Sequence, residues 1–192
     1  MTKRKTAERR KPEFVRFTRF AAIDFETADY GRDSACAMAV VVAENDRIVD
    51  KECFLIRPPR RDFVFSYLHG ITWRHVKDEP CFGDVWKKAR RHFDGVDFVA
   101  AHNASFDRGV LHECCNNACI DVPDLKFLCT VKLSRRVWNI RPTKLSDVCR
   151  HFNFPLNHHD AASDALACAK IVLKASEKGI PVGALLKKVR EM

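Results

Sequence analysis

An apolar segment that ends in two acidic residues constrains this chain more than any other feature. Residues 20–27 have the sequence Phe-Ala-Ala-Ile-Asp-Phe-Glu-Thr, which is typical of a buried β-strand. Side chains two residues apart on a strand share a face, so Asp24 and Glu26 are expected to project together, about 7 Å apart along the backbone. Two such carboxylates are costly to ionise in a protein interior unless a cation lies beside them. For this pair taken alone, a strand end that has simply reached solvent is the alternative.

Length and composition predict one domain with a well-buried core. The chain has 192 residues, of which 46% are hydrophobic and 31% are charged, enough for one core and short for two. No stretch approaches the roughly eighteen consecutive apolar residues of a membrane span, so none is expected. The nine cysteines accompany no secretory signal pattern, and we expect them to be reduced thiols of a cytoplasmic protein.

The charge distribution favours a polyanionic partner. The formal net charge is +9, which bears on association rather than on chemistry. Residues 1–16 form a basic segment that we expect to be a flexible tail. This tail, Arg60 and Arg61 are candidates for contacts with phosphates, although a merely solubilising role is the alternative for the tail. Residues 180–192 are expected to be a C-terminal extension, and they contain no evident clamp-binding motif, so a polymerase partner is uncertain.

The order of predicted elements indicates an α/β sandwich, with a mixed sheet covered by helices on both faces. Two β-branched runs separated by a polar turn predict an antiparallel hairpin. Helical and extended patterns then alternate along the folded domain, residues 17–179. The predicted strands are 20–27, 35–43, 48–55, 97–102 and 126–130, and the predicted helices are 82–93, 104–118, 131–138, 144–152 and 162–178.

Two further polar motifs lie where helices are predicted to begin. The first contains Asp107 shortly after a strand, a position where a carboxylate is often only a partner of the helix dipole. The second is His158-His159-Asp160-Ala161-Ala162-Ser163-Asp164, where a polar loop enters an apolar helix. An ionised Asp164 in apolar surroundings needs a partner, and a histidine beside a carboxylate in a cleft is a candidate general base.

Taken together, the three motifs resemble the DEDDh branch of the DnaQ-like 3′–5′ exonucleases. They are Asp24-Phe25-Glu26-Thr27, His102-Asn103 with Phe106-Asp107, and His159-x4-Asp164, and the likeness covers about residues 18–176. The chain is most similar to small stand-alone relatives of the bacterial DNA polymerase III epsilon proofreading subunit. The resemblance implies a ribonuclease H-like three-layer sandwich with a central mixed sheet of about five strands.

The same resemblance implies the chemistry. Asp24, Glu26, Asp107 and Asp164 would hold two divalent ions, Mg²⁺ or Mn²⁺, which prefer carboxylate oxygens and keep some water. His159 would be the general base, because it fits the His-x4-Asp spacing whereas His158 leaves one residue too many. Asp160, four residues before Asp164, is not the tyrosine of the sister branch.

The implied substrate is the 3′ end of single-stranded DNA, cleaved to nucleoside 5′-monophosphates in a repair or proofreading role. The residues that match terminal-nucleotide contacts are Thr27, His69, Ile71, Asn103 and Phe106. Core packing is the alternative for Ile71 and Phe106. An RNA-trimming exoribonuclease and a non-catalytic nucleic-acid-binding module on the same scaffold are the alternative functions. A zinc site formed by Cys114, Cys115 and Cys119 is disfavoured, because all three are expected on one helix without a second Cys-x-x-Cys pair.

Overall fold

The computed structural model describes residues 18–179 and 186–188. Those residues form one six-stranded sheet in the order β3-β2-β1-β4-β5-β6. Strand β1 pairs antiparallel with β2 and parallel with β4, so the sheet is mixed. The strands are β1 (Arg19–Thr27), β2 (Ala35–Glu44), β3 (Arg47–Leu55), β4 (Phe98–Ala101), β5 (Lys126–Cys129) and β6 (Leu186–Lys188).

The opening hairpin forms where the sequence predicts it. Asn45 and Asp46 connect β2 to β3, and both have left-handed backbone angles, with φ of 48° and 62°. Two consecutive left-handed residues match the right-handed twist of the flanking strands, and asparagine and aspartate tolerate that conformation well. Strand β2 is buried along nearly its whole length, whereas the edge strand β3 is mostly exposed.

Helices cover both faces of the sheet and create two separate cores. One core joins Ala22 of β1 to apolar residues of α5, α6 and α7, and the other joins Ile23 to residues of α3 and α4. Because side chains alternate along a strand, Asp24 and Glu26 project on the same face as Ala22. The helices are α1 (Ser66–His69), α2 (Trp73–Val76), α3 (Phe82–Ala89), α4 (Ser105–Asn117), α5 (Thr130–Trp138), α6 (Leu145–Phe152) and α7 (Ala161–Glu177), and a 3₁₀ helix spans Arg90–Phe93.

The predicted sandwich is confirmed, with local differences. The five predicted strands are present, and β6 adds a sixth that pairs antiparallel with β5. This strand lies within the segment expected to be a C-terminal extension, and it carries no apolar pattern long enough to signal a strand. Helix α4 ends at Asn117, so Cys119 lies beyond it rather than on it. All nine cysteines are free thiols.

Two expectations concern residues that the structure does not describe in full. The basic segment 1–16 lies outside the described residues, as does most of 180–192. Within the described part of the chain, no helix is both long enough and apolar enough to cross a membrane.

Candidate active site

Four carboxylates lie at one end of the sheet because of how the chain enters it. Asp24 and Glu26 are near the carboxyl end of β1, and Asp107 is in the first turn of α4, the helix that follows the adjacent parallel strand β4. Asp164 is in the first turn of α7, which packs against β1 and β2. The carboxyl ends of neighbouring parallel strands share one edge of a sheet, and that edge is where α/β proteins place their sites.

Asp107 is held in place by the backbone of β1. Its Oδ1 accepts a hydrogen bond of 3.2 Å from the Phe25 amide, and its side chain is buried. Phe25 lies between Asp24 and Glu26, so this bond ties the second motif directly to the first. The hydrogen bond favours the ionised carboxylate, but burial opposes it more strongly and raises the pKa of Asp107 to about 7.

The remaining carboxylates also resist ionisation. Burial raises the pKa of Asp24 well above its ordinary value, and the negative charges of Asp107, Asp164 and Glu26 raise it further. Burial and then the charges of Asp164 and Asp107 raise the pKa of Glu26 to about 8. These mutual effects place the four groups within electrostatic reach of one another. A cluster of this kind favours a bound cation, which would remove the repulsion.

The residues present suit a hard divalent cation. Asp164 Oδ1 is buried and has no hydrogen-bond partner among the described residues, which leaves a carboxylate oxygen directed at nothing else in that part of the chain. The other prospective ligands are also carboxylate oxygens, the ligand type that Mg²⁺ and Mn²⁺ prefer. No three or more His, Cys, Asp or Glu side chains in residues 18–179 and 186–188 lie close enough together to hold a metal ion as they stand. The carboxylates interact through their charges, and the ligand oxygens would draw together around an ion.

The doubled histidine contacts Asp164 in two different ways. His158 Nδ1 lies 2.9 Å from Asp164 Oδ2, whereas His159 reaches the same oxygen through its backbone amide, at 3.3 Å. The two imidazole rings stack, with centroids 3.9 Å apart. His159 has a left-handed backbone, with φ of 67°, which lets the loop turn so that both residues face one carboxylate. No sequence pattern indicates the contact between the His158 ring and Asp164.

A cavity of about 380 Å³ beside the carboxylates is lined by Glu26, His69, Ile71, His158 and His159. It brings together residues of the strand, the connection before α2 and the loop before α7, but none of the second motif. These five lining residues are exposed or half-buried, so the cavity is open to a ligand. Two of the predicted substrate contacts, His69 and Ile71, thus share a cavity with the predicted base, His159.

The hydrogen bonds of His69 in that cavity define which of its ring nitrogens carries the proton. Its Nδ1 accepts a hydrogen bond of 3.0 Å from the Ile71 amide, so its Nε2 carries the proton and donates to the Thr27 carbonyl at 3.2 Å. Burial lowers the pKa of His69. A neutral His69 with a hydrogen bond at each ring nitrogen positions Thr27 and Ile71 and is not free to act as a base.

The residues of the second motif lie in different environments. His102 is a structural histidine, since Nε2 donates to the Thr143 carbonyl at 3.0 Å and Nδ1 lies 2.9 Å from Thr130 Oγ1; burial lowers the pKa of His102 to about 4. Asn103 is exposed, lies outside the cavity of about 380 Å³ and lines a different one. Phe106 is 39% exposed at the start of α4, so it does not belong to the core.

Arg60 serves a different purpose from the one its position in a basic sequence suggests. Its guanidinium donates to Asp29 at 2.9 Å and to Asp33 at 2.8 Å, and it thereby closes the loop that follows β1. Both carboxylates have lowered pKa values, first of all because of these bonds to Arg60. The fold itself thus uses this cation, one of the candidates for phosphate contact.

Comparison with known proteins identifies the family. The family model described as Exonuclease (RNase_T) matches residues 21–172, a range that includes all three motifs. The chain belongs to the RNase_T exonuclease family. It is 33% identical over 168 residues to the 3′-5′ exonuclease DinG of Bacillus subtilis (strain 168), a match that covers 83% of this chain. It is 31% identical over 160 residues to exodeoxyribonuclease 10 of Escherichia coli (strain K12), which covers 79% of this chain.

A solved structure extends the similarity to the exonuclease fold. The structure of exonuclease X in complex with 5′ overhanging duplex DNA superposes with a TM-score of 0.70 and 25% identity, over 86% of this chain and 96% of that one. The expected DnaQ-like, ribonuclease H-like architecture is confirmed. The matched regions are 18% of the DinG protein and 66% of exodeoxyribonuclease 10, so this chain corresponds to part of each relative.

Proposed function

We propose that this protein is a metal-dependent 3′–5′ exonuclease that removes nucleotides from the 3′ end of single-stranded DNA and releases nucleoside 5′-monophosphates. The observation that supports this most directly is the carboxylate cluster. Burial, and then the charges of Asp107 and Asp164, raise the pKa values of Asp24 and Glu26, and Asp164 keeps a buried oxygen without a described partner. Such a cluster is unfavourable without a cation, and its position matches the family motifs residue by residue.

The ligands of the ions would be Asp24, Glu26, Asp107 and Asp164. Two divalent ions bound there would supply positive charge to both the attacking and the leaving oxygen of an in-line displacement at phosphorus. The protein's own contribution is to hold the oxygens in place. Asp107 is fixed by the Phe25 amide and Asp164 by the His159 amide, so two of the four ligands are oriented by backbone donors.

The general base would be His159. Its ring lines the cavity of about 380 Å³, and burial together with the charge of His158 lowers its pKa. A lowered pKa keeps the imidazole neutral near pH 7, which is the form that accepts a proton. His158 would act differently: its bond to Asp164 Oδ2 would orient that carboxylate and leave Oδ1 for an ion.

The terminal nucleotide would be bound by Thr27, His69, Ile71, Asn103 and Phe106. Ile71 is half-buried in the cavity wall, and the exposed ring of Phe106 offers an apolar face on the edge of the site. A 3′ end must be separated from its neighbours before cleavage, and apolar or aromatic contacts to sugar and base serve that purpose without selecting a sequence.

Two alternatives predict different outcomes. An exoribonuclease would use the same carboxylates, since none of the groups described reads the 2′-hydroxyl. A binding-only module would need no complete set of ligands. All five motif positions are filled here, and the DNA named in the exonuclease X structure favours DNA over RNA. On a DNA substrate, the proposed role is in DNA repair or proofreading.

Matched 3′-labelled DNA and RNA oligonucleotides of one sequence test the proposal. With Mg²⁺ or Mn²⁺ we expect shortening of DNA from the 3′ end in single-nucleotide steps, and no shortening in EDTA or with Asp24→Asn. Faster cleavage of RNA would establish the exoribonuclease instead. Binding without cleavage under any divalent ion would leave only the binding module.

A further inference from the structure

A second cavity, of about 570 Å³, includes two residues of the second motif in its lining and differs in charge from the candidate active site. We name it the basic cavity: it is lined by His102, Asn103, Val131, Arg135, Arg141 and Lys144, together with Pro142 and Thr143. Three of these side chains are cationic and none is acidic. None of the three cations belongs to a sequence motif described above.

The connection between α5 and α6 places those cations. Thr143 is buried, donates to the Ile140 carbonyl at 2.8 Å and accepts from Arg135 Nε at 3.0 Å. Arg135 is therefore anchored by one nitrogen, and the planar group can direct its remaining donors elsewhere. Arg141 and Lys144 flank the same turn and are exposed.

Within the described residues, no carboxylate pairs with these three cations. The acidic residue nearest in sequence is Asp147, whose Oδ2 accepts from the Lys144 amide at 3.0 Å and whose Oδ1 accepts from Arg150 at 3.2 Å. It is occupied at the start of α6. Three unpaired cations around one concavity repel one another and focus a positive potential into it, which favours an anionic ligand.

The backbone adds to this potential. Val131, another lining residue, is in the first turn of α5, where peptide dipoles leave a partial positive charge and unpaired amide groups. Asn103 contributes an exposed amide side chain to the lining. The donors of the basic cavity thus match the oxygens of phosphodiesters.

Part of the lining of the basic cavity follows the strand next to β1, which carries two of the carboxylates. His102 and Asn103 directly follow β4, and β4 is the hydrogen-bonded parallel neighbour of β1, which carries Asp24 and Glu26. Adjacent strands are about 4.8 Å apart, so the part of the lining that follows β4 lies about one strand away from the strand that carries Asp24 and Glu26. A polyanion held at the carboxylates through metal ions would extend past these cations.

Another cavity with cations is less suitable. It is lined by Arg57, Arg61 and Lys77, but Asp33 is also in its wall, and Lys77 Nζ lies 3.4 Å from Asp78. Part of its positive charge is therefore offset by neighbouring carboxylates. The basic cavity has no such carboxylate in its lining.

We infer that the basic cavity is a second phosphate-binding site, which holds backbone phosphates of the strand whose 3′ end lies at the carboxylate cluster. The inference rests on the proposed function for its substrate, but binding can be measured without cleavage. Arg135 anchors the turn, so the contacts to remove are those of Arg141 and Lys144.

Binding of a fluorescent single-stranded DNA is measured by anisotropy in an Asp24→Asn background, as a function of salt. Arg141→Gln/Lys144→Gln should weaken binding at least about fivefold near 0.1 M salt, and it should lower the slope of log K against log salt by about 1.4, or 0.7 for each lost contact. The matched control is Lys88→Gln/Arg90→Gln, which removes two exposed charges from the opposite face of the sheet. Equal affinity and slope in the two double variants would overturn the inference.

Single methylphosphonate linkages locate the contact. Placed one at a time from the 3′ end, a neutral linkage should weaken binding by the parent protein at one or two positions. At those positions the Arg141→Gln/Lys144→Gln protein should lose no further affinity. If the variant stays as sensitive as its parent at every linkage, the cavity does not hold the phosphates. A protein that binds in this manner but never cleaves DNA would refute the proposed function and leave this site standing.

Discussion

The two halves of the candidate site are built in different ways. The strand half (Asp24, Glu26 and Asp107) belongs to the sheet and to the first turn of α4, and the Phe25 amide fixes Asp107. The loop half (His158, His159 and Asp164) depends on a polar loop in which two histidines approach one carboxylate oxygen. The strand half is therefore set by the same hydrogen bonds that hold the fold, whereas the loop half is set by a few side-chain contacts near the surface.

This difference in construction matches two different functions, the convergence of like charges and the exchange of a proton. Groups that must converge despite their mutual repulsion are carried by rigid, buried elements, which can bear the cost of raised pKa values. A group that must exchange a proton with a water or substrate is carried by a loop with access to the cavity. If this division is correct, substitutions in the strand half should lower activity most and should reduce charge repulsion in the folded state. Substitutions in the loop half should lower kcat by different amounts for His158 and His159.

The largest effect is expected in the strand half. Asp24→Asn should lower kcat by about 10³-fold or more, because metal ions contribute several kcal/mol to such displacements. The fold should persist, since removing a charge from the cluster reduces repulsion. Oligonucleotide cleavage and thermal unfolding check the two expectations together.

The matched control is Asp62→Asn, an exposed aspartate away from the cluster, which should leave both quantities unchanged. Full activity of Asp24→Asn with Mg²⁺ would contradict the assignment of the ligands. Loss of folding in the same variant would mean that Asp24 has a structural role.

The next effect lies in the loop half and distinguishes its histidines. His159→Ala should lower kcat by about 10² to 10⁴, the range for a positioned general base. His158→Ala should cost much less, because it removes only a contact that orients Asp164. Single-turnover cleavage with saturating Mg²⁺ compares the two. A larger loss for His158→Ala would transfer the base to the histidine whose ring touches Asp164.

A smaller effect concerns stability and pH without metal. The pKa of Glu26 is raised to about 8 and that of Asp107 to about 7, so from about pH 5 to pH 8 the folded state binds protons that the unfolded state has released. Stability must then fall as pH rises through that window. We expect the Tm in EDTA to decrease between pH 5 and 8, with a weaker decrease for Glu26→Gln.

Added Mn²⁺ should flatten the same curve, because a bound cation stabilises the ionised carboxylates and so lowers their pKa values. Asp62→Asn again serves as the control and should follow the parent protein. A Tm that rises with pH across this range would show that the pKa values of Glu26 and Asp107 are not raised in the folded state.

The sequence predicted the strand half better than the loop half. Period-two alternation is a local signal, so the shared face of Asp24 and Glu26 was visible in it, and the resemblance supplied Asp107 and Asp164. The bond between the His158 ring and Asp164 depends on the path of a loop through a left-handed residue, which spacing alone does not give. The basic cavity joins residues from three elements, and Arg60 pairs with carboxylates about thirty residues earlier; such contacts exist only after the chain has folded.

The smallest expected effect tests whether a cation outside both halves serves the fold or the substrate. Arg60 bonds to Asp29 and Asp33, and the loop that it closes follows Thr27. Arg60→Gln should lower the free energy of unfolding by about 1 kcal/mol, a modest value because the side chain is partly exposed and such pairs are screened by solvent. It should leave the salt dependence of DNA binding unchanged.

Arg61→Gln removes the same charge from an exposed residue whose guanidinium lies 5.2 Å from the Trp73 ring centre, and it should leave stability nearly unchanged. If Arg60→Gln instead lowers the salt slope by about 0.7 with no loss of stability, then Arg60 contacts phosphate as its sequence position first suggested, and its two aspartates release it when DNA binds.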